Sequence, residues 1–163
     1  MSNGMKPFSF RVGRLRFSVA AAFASIVLPA WGANPAVIAR GSYLARITGC
    51  IGCHTPRTHD GDVVEARLMS GGDHPIAGNL GRVFPPNVTP DKATGLGNWT
   101  AADIAKAIKT GRTPDDRVLS TAMPWRTQFG NLTESDALAI ALYLKSLPPI
   151  RDTVPAPITP SGK

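Results

Sequence analysis

The two cysteines of this 163-residue chain lie three positions apart and are followed at once by a histidine, in the run Cys50-Ile51-Gly52-Cys53-His54. Two cysteines are too few for a disulfide scaffold, and a bridge between them would close too short a loop to stabilise the fold. Aromatic residues make up only 7% of the chain, which is little for a core built from side chains alone. The pattern therefore indicates chemistry rather than cross-linking, with a further group filling the centre.

This spacing of two cysteines and a histidine is the attachment pattern of c-type haem. Cys50 and Cys53 can each form a thioether with one vinyl group of the porphyrin, and His54 can place a ring nitrogen on the iron. Its other ring nitrogen must then be fixed by a hydrogen bond, for which a backbone carbonyl in Thr55-Pro56 is predicted. The prediction is one covalently bound haem c, with its iron, per chain.

Two other kinds of cysteine site compete with this interpretation. A thioredoxin-like redox pair needs a strand before the first cysteine, whereas the segment before Cys50 is predicted to be helical. A zinc site needs a fourth ligand at suitable spacing, and the sequence has no second cysteine pair. Both alternatives are less favoured than haem attachment.

Four residues are candidates for the sixth iron ligand. His59 lies too close to His54 to reach the opposite face of the ring, whereas Met69 and His74 lie in a long glycine-flanked loop and remain candidates. Met123 follows the second predicted helix and precedes the third, and a thioether suits an electron-transfer iron because it raises the reduction potential. The alternative for any single methionine is core packing. Its position between the second and third predicted helices favours Met123 as the sixth ligand.

The N-terminal 33 residues have the three parts of a secretory signal peptide. Residues 1–16 contain four basic residues and no acid, Phe17 to Pro29 form an apolar run, and small residues follow, with cleavage expected near Gly32 or Ala33. The alternative is an uncleaved membrane anchor, but the run is shorter than the roughly 20 residues that span a bilayer. Export to the periplasm is therefore predicted, with membrane association as the alternative.

Removal of that segment changes the charge argument. The full chain carries +7, and the segment holds four of its 18 basic residues and none of its 11 acids, which leaves +3. The remaining basic residues are scattered among acids and form no basic stripe. Nucleic acid is therefore not an expected partner.

Capping residues and helix breakers predict three helices in the rest of the chain. Asn34, Thr100 and Thr133 are the predicted N-caps, and Gly49, Gly111 and a proline pair are the stops. The predicted helices cover residues 35–48, 101–110 and 134–147. The last is apolar almost all round, so it is expected to bury more than one side.

The first predicted helix carries its apolar residues near one face, at Val37, Ile38, Gly41, Leu44 and Ile47. A glycine inside a helix costs about 1 kcal/mol relative to alanine. Gly41 therefore suggests the close approach of another element.

Residues 55–99 are rich in glycine and proline and contain few helical signals. A loop of this length in a small domain is expected to wrap a ligand. The predicted organisation is a signal peptide over 1–33, a haem-binding domain over 34–150 and an extended proline-rich tail over 151–163.

Several segments together resemble class I cytochromes c, and in particular the cytochrome c subunits and domains of periplasmic alcohol and gluconate dehydrogenases. These segments are residues 40–46, 50–55, 84–91, 95–100, 122–125 and 143–149. Such dehydrogenase cytochromes commonly carry three haems, whereas this chain has one haem motif. The resemblance covers about residues 35–150.

The resemblance implies a mainly α class I cytochrome c fold, in which a few helices and a long loop surround one haem. The first and last helices would cross near Gly41, with Tyr143 or Leu144 against it, and Met123 would be the distal ligand. Three further residues resemble positions near the haem propionates, although turn and cap chemistry accounts for them equally well. They are Asn87, Thr89 and Trp99.

The function predicted from these features is the transfer of single electrons. The expected donor is a periplasmic dehydrogenase, and the expected acceptor is an oxidase or another cytochrome. No catalytic residue is assigned. The alternative is a haem enzyme, such as a peroxidase or a sulfur-compound oxidoreductase, with a displaceable sixth ligand.

Overall fold

The computed structural model describes Met1 and residues 34–159, so residues 2–33 of the predicted signal peptide and the last four residues lie outside the described part. The described part contains four α-helices, two short 3-10 helices and one two-stranded antiparallel sheet. The helices are α1 (Pro35–Ile47), α2 (Cys50–His54), α3 (Ala101–Thr110) and α4 (Glu134–Ser146), and the strands are β1 (Ile76–Gly78) and β2 (Gly81–Val83). Within these residues no helix has both the length and the apolar character needed to cross a membrane.

Side-chain caps begin the three longer helices where the sequence predicts them. The Asn34 carboxamide oxygen accepts a hydrogen bond from the Ala36 N–H at 2.9 Å. Thr100 and Asp103 form a reciprocal capping box, and Thr133 accepts from the Asp136 N–H at 3.1 Å. Helix α3 has the predicted bounds, while α1 and α4 each end one residue earlier than predicted.

Helices α1 and α4 cross at Gly41, as the resemblance implies. A Cβ atom at this position would clash with the Ala139 carbonyl group and lie 2.8 Å from the Tyr143 Cβ. An ion pair from Arg40 Nε to Asp136 Oδ1, 3.0 Å long, joins the same two helices at the surface. The missing side chain is thus what allows the two backbones to approach.

Helix α4 is the centre of the core, since it packs against both α1 and α3. Six of its residues are buried, which confirms that it buries more than one side. On α1 the buried residues are Gly41, Leu44 and Ala45, whereas Ile47 is 60% exposed. Ile47 lies near the same face by its spacing but is not buried, because the buried face is centred between Leu44 and Ala45 and Ile47 falls at its edge.

The long segment between α2 and α3 contains a hairpin that the sequence did not predict. Strands β1 and β2 pair in register from Ile76 opposite Val83 to Gly78 opposite Gly81. The C-terminal segment lies against this region: the backbone groups of Arg82 and Ile158 exchange two hydrogen bonds of 2.9 and 2.8 Å. The proline-rich tail is therefore fastened to the loop over its described part.

A second set of contacts, made by Asp152, bonds the C-terminal segment to the long segment between α2 and α3. The Asp152 carboxylate pairs with the Arg67 guanidinium and accepts a hydrogen bond of 3.0 Å from the Ser70 hydroxyl. The C-terminal segment is thus bonded to residues 67–70, in the middle of the long segment between α2 and α3.

Candidate haem site

Helix α2 presents the two cysteines one turn apart. Gly49, with a φ of +84°, allows the chain to turn sharply between α1 and α2. Both thiols are free; Cys50 is half-buried and Cys53 is exposed. Burial raises the pKa of the Cys50 thiol, and the Thr48 hydroxyl lies 3.4 Å from its sulfur. Residues three apart on a helix share one side, so both sulfurs can reach one edge of a flat ligand.

His54 ends α2 and has one ring nitrogen fixed by the protein. Its Nδ1 lies 2.8 Å from the Pro86 carbonyl oxygen, which can only accept, so Nδ1 carries the proton and Nε2 keeps its lone pair. The predicted partner in Thr55-Pro56 is wrong, because Nδ1 contacts the Pro86 carbonyl oxygen; the Pro56 carbonyl accepts from the Val64 N–H at 2.9 Å. Burial lowers the pKa of His54, which favours the neutral imidazole that binds iron.

The loop after α2 folds back against the haem motif. The Gly71 N–H donates to the His54 carbonyl oxygen at 2.8 Å, and the Met69 N–H donates to the Thr55 hydroxyl at 3.1 Å. The Met69 side chain is fully buried in the hydrophobic core. Core packing therefore accounts for Met69, one of the alternative candidates for the sixth ligand.

The remaining candidates occupy different environments. Met123 is half-buried, packs against the core and lies in a turn closed by a 3.1 Å hydrogen bond from its N–H to the Ser120 carbonyl oxygen. His59 is exposed, and His74 is exposed with its Nδ1 2.7 Å from Asp73 Oδ1. Of the two methionine candidates, Met69 is fully buried, whereas Met123 is half-buried and contacts the core.

The loop after Met123 also approaches the haem motif. The Gln128 side-chain amide donates to the Thr48 carbonyl oxygen at 3.4 Å, two residues before Cys50. A cavity of about 410 Å³ between α3 and α4 is bordered by neither Cys53 nor Met123. A smaller one of about 70 Å³ is bordered by Cys53.

The three residues that resemble propionate neighbours are engaged within the protein. The buried Asn87 amide donates to the Ile150 carbonyl oxygen at 2.7 Å, and its oxygen accepts from the Thr89 N–H and hydroxyl at 2.9 and 2.7 Å. The Trp99 carbonyl oxygen accepts from Lys145 Nζ at 2.9 Å. Turn chemistry therefore accounts for the polar atoms of Asn87 and Thr89.

Replacing Asn87 with alanine is expected to lower the free energy of unfolding of the haem protein by about 1–3 kcal/mol, because buried partners would lose their hydrogen bonds. Denaturant unfolding measures this loss. The matched control is Asn98→Ala in the same loop, since Asn98 is exposed and makes one 3.0 Å hydrogen bond to the Lys92 carbonyl oxygen. That change is expected to stay within about 0.5 kcal/mol of the wild type. A shifted reduction potential with unchanged stability would contradict the structural role of Asn87.

The residues of this site fit a covalently bound haem. Two free thiols lie on one helical turn, the adjacent imidazole keeps one nitrogen lone pair, and a half-buried thioether lies on a turn at the edge of the core. Several apolar side chains around the core are only partly buried, as expected where a flat apolar group would cover them. They include Val88, Leu96, Trp99 and Leu132.

The family model described as cytochrome c matches residues 38–148. The cytochrome c subunit of the quinone-dependent alcohol dehydrogenase of Gluconobacter oxydans (strain 621H) is 33% identical over 119 residues, 72% of this chain and 23% of the relative. The gluconate 2-dehydrogenase cytochrome c subunit of Pantoea cypripedii is 32% identical over 68% of this chain and 23% of the relative. The fructose dehydrogenase cytochrome subunit of Gluconobacter japonicus is 34% identical over 66% and 20%.

The chain belongs to the cytochrome c family and carries covalently bound haem c, which the spacing of Cys50 and Cys53 fits. The mainly helical fold and the resemblance to dehydrogenase cytochromes are confirmed. The matched stretch spans about a quarter or less of the length of these relatives. The thioredoxin-like and zinc alternatives are therefore set aside.

Sequence reasoning did not assign two contributors to this site. One is the Pro86 carbonyl, 32 residues from His54, and the other is the hairpin just before it. The Pro85-Pro86 pair is a signal of a rigid backbone. Nothing local in the sequence connects that pair to His54.

Proposed function

We propose that this chain is an exported cytochrome with one haem, which transfers single electrons between a periplasmic dehydrogenase and an oxidase or another cytochrome. The observation that carries the proposal is the 2.8 Å contact between His54 Nδ1 and the Pro86 carbonyl oxygen. This contact holds the imidazole in one tautomer with Nε2 free. It also makes Nε2 more basic and fixes the orientation of the ring for binding iron.

Four side chains would hold the cofactor: Cys50 and Cys53 by thioethers, and His54 and Met123 as axial ligands. When bound, haem iron supplies a one-electron couple between its ferric and ferrous states. The half-buried apolar side chains around the site would exclude water from the ring.

Two protein ligands on the iron, His54 and Met123, would favour an electron carrier over the haem-enzyme alternative. A peroxide, oxygen or sulfur substrate would need a free or displaceable position. Met123 lies in a turn with backbone hydrogen bonds on both sides, from its own N–H to Ser120 at 3.1 Å and to its carbonyl oxygen from Trp125 at 2.8 Å. A turn fixed in this way supports a permanent ligand.

The choice of partner rests on the relatives, which are named as cytochrome subunits of alcohol, gluconate and fructose dehydrogenases. A dehydrogenase is accordingly the proposed electron donor. The sequence contains a single haem-attachment motif, which supports one haem per chain. The oxidase or second cytochrome proposed as acceptor follows from the chemistry of a periplasmic electron carrier.

Stopped-flow mixing tests the carrier role. The reduced protein is expected to pass one electron to an oxidase or to a second cytochrome, at a rate that depends on salt. The same reduced protein is expected to react slowly or not at all with carbon monoxide, and the ferric protein with peroxide. Rapid ligand binding with turnover of peroxide or a sulfur compound would instead establish the enzyme alternative.

Export has its own test. The protein purified from the periplasm of a host that matures c-type cytochromes is expected to begin near Ala33 and to keep one haem in the denatured mass spectrum. Retention of residues 1–33 on a membrane-bound chain would contradict cleavage and support the anchor. Haem removed by acidified organic solvent would contradict thioether attachment.

A further inference from the structure

The turn of the β-hairpin is bonded to the segment that carries Met123. Asn79 and Leu80 connect β1 to β2, and Asn79 faces Thr121. The Asn79 N–H donates to the Thr121 hydroxyl at 3.1 Å, and the Asn79 carboxamide oxygen accepts from the Thr121 N–H and hydroxyl at 2.9 and 3.3 Å. These three bonds join positions 42 residues apart.

The hairpin and this segment are also in steric contact. A Cβ atom at Gly78 would clash with the Ser120 hydroxyl oxygen and lie 2.9 Å from the Ala122 backbone nitrogen. The hairpin backbone therefore lies directly against residues 120–122. Those residues form one tight turn, since the Ala122 N–H donates to the Ser120 hydroxyl at 3.2 Å and the Met123 N–H donates to the Ser120 carbonyl oxygen.

The hairpin itself is held on its other side. Three-residue strands are marginal alone, but Arg82 in β2 exchanges two backbone hydrogen bonds with Ile158. Strand β2 then continues toward Pro86, whose carbonyl oxygen contacts His54. The hairpin is thus fixed to the C-terminal segment and to the loop beside His54, and can hold a third segment in place.

We infer that Asn79 is a positioning residue for the sixth ligand: by fixing Thr121 it holds the 120–123 turn and keeps the Met123 sulfur on the iron. This inference rests on the proposed function, which assigns Met123 as that ligand. Asn79 and Thr121 are both exposed, so their hydrogen bonds contribute little to global stability. Opening of the 120–123 turn alone, however, would break these hydrogen bonds. They therefore govern the equilibrium between the closed and the open turn.

The test uses imidazole as a competitor for the iron in the ferric haem protein. Imidazole binds once Met123 has left, so its apparent dissociation constant is inversely proportional to the population of the open turn. Asn79→Ala is expected to tighten imidazole binding about tenfold, since it removes two hydrogen bonds of the turn. Its midpoint of thermal unfolding is expected to stay close to that of the wild type.

Three further variants make the test specific. Leu80→Ala changes the other residue of the same two-residue turn, which makes no side-chain hydrogen bond to Thr121, and is expected to bind imidazole like the wild type. Asn79→Asp keeps the accepting oxygen and is expected to restore most of the wild-type behaviour. Thr121→Val removes the hydroxyl from the other side of the contact and is expected to resemble Asn79→Ala.

The wild type and Met123→Ala are measured first, to separate this inference from the proposed function. If the wild type lacks the weak far-red band of a methionine–iron bond, both the ligand assignment and this inference fail. If the band is present and depends on Met123, but Asn79→Ala and Thr121→Val bind imidazole like the wild type, the inference alone is overturned. An equal effect of Leu80→Ala would also overturn it, because the hairpin would then act without the Asn79 contact.

Discussion

Replacement of Met123 with alanine is expected to abolish the far-red absorption band of the ferric protein and to lower its reduction potential. A thioether favours ferrous iron, so its loss stabilises the ferric state. The fall is expected to be on the order of 0.1 V, within the about 0.8 V range that axial ligands span. The vacated position should also bind carbon monoxide rapidly in the reduced protein. Absorption spectra and a potentiometric titration measure these changes.

Met69→Leu is the matched control for that experiment. Met69 is fully buried in the core, and a leucine of similar volume is expected to cost less than about 1.5 kcal/mol of stability. The band and the potential should stay close to wild type. Survival of the band in Met123→Ala would contradict the assignment of Met123, and its absence from the wild type would favour a ligand such as His74.

Gly41→Ala is expected to cause a large loss of stability. The new Cβ would overlap the Ala139 carbonyl group, which belongs to the backbone of α4 and cannot rotate away. Alanine gains about 1 kcal/mol of helix propensity, but forcing two packed helices apart costs more. The expected net loss is about 3 kcal/mol, measured by denaturant unfolding of the haem protein.

Gly52→Ala in α2 is the control, because the nearest heavy atom to its added Cβ would be Arg57 Nη2 at 3.5 Å, an ordinary contact. This variant is expected to lie within about 1 kcal/mol of the wild type. Equal effects of the two substitutions would show that the α1–α4 crossing tolerates a side chain. The account of Gly41 as a crossing point would then be wrong.

Local signals explain why the helices could be predicted from the sequence. The Thr100–Asp103 capping box and Gly111 fix both ends of α3 by contacts within a few residues. The ends of α1 and α4 were each misplaced by one residue, since neither has a glycine directly at the C-cap: Thr48 and Leu147 occupy those positions. The haem motif is equally local, with its three residues inside five positions.

The parts that could not be predicted depend on contacts between distant residues. The partner of His54 is a carbonyl 32 residues away, and the partner of Asn79 is 42 residues away. The β-hairpin has strands of only three residues, too short for an alternating pattern to be recognised. Its position depends on Ile158, in a tail whose proline content predicts extension but no partner.

The number of electrons taken up per chain tests the central claim most directly. Purified protein of known haem content would be titrated with a reductant under argon, and again under carbon monoxide. A carrier with one haem and two protein ligands predicts one electron per chain, a single one-electron Nernst step, and the same reduced spectrum under both gases. More than one electron per chain, or a carbon monoxide spectrum that forms rapidly at neutral pH, would contradict it.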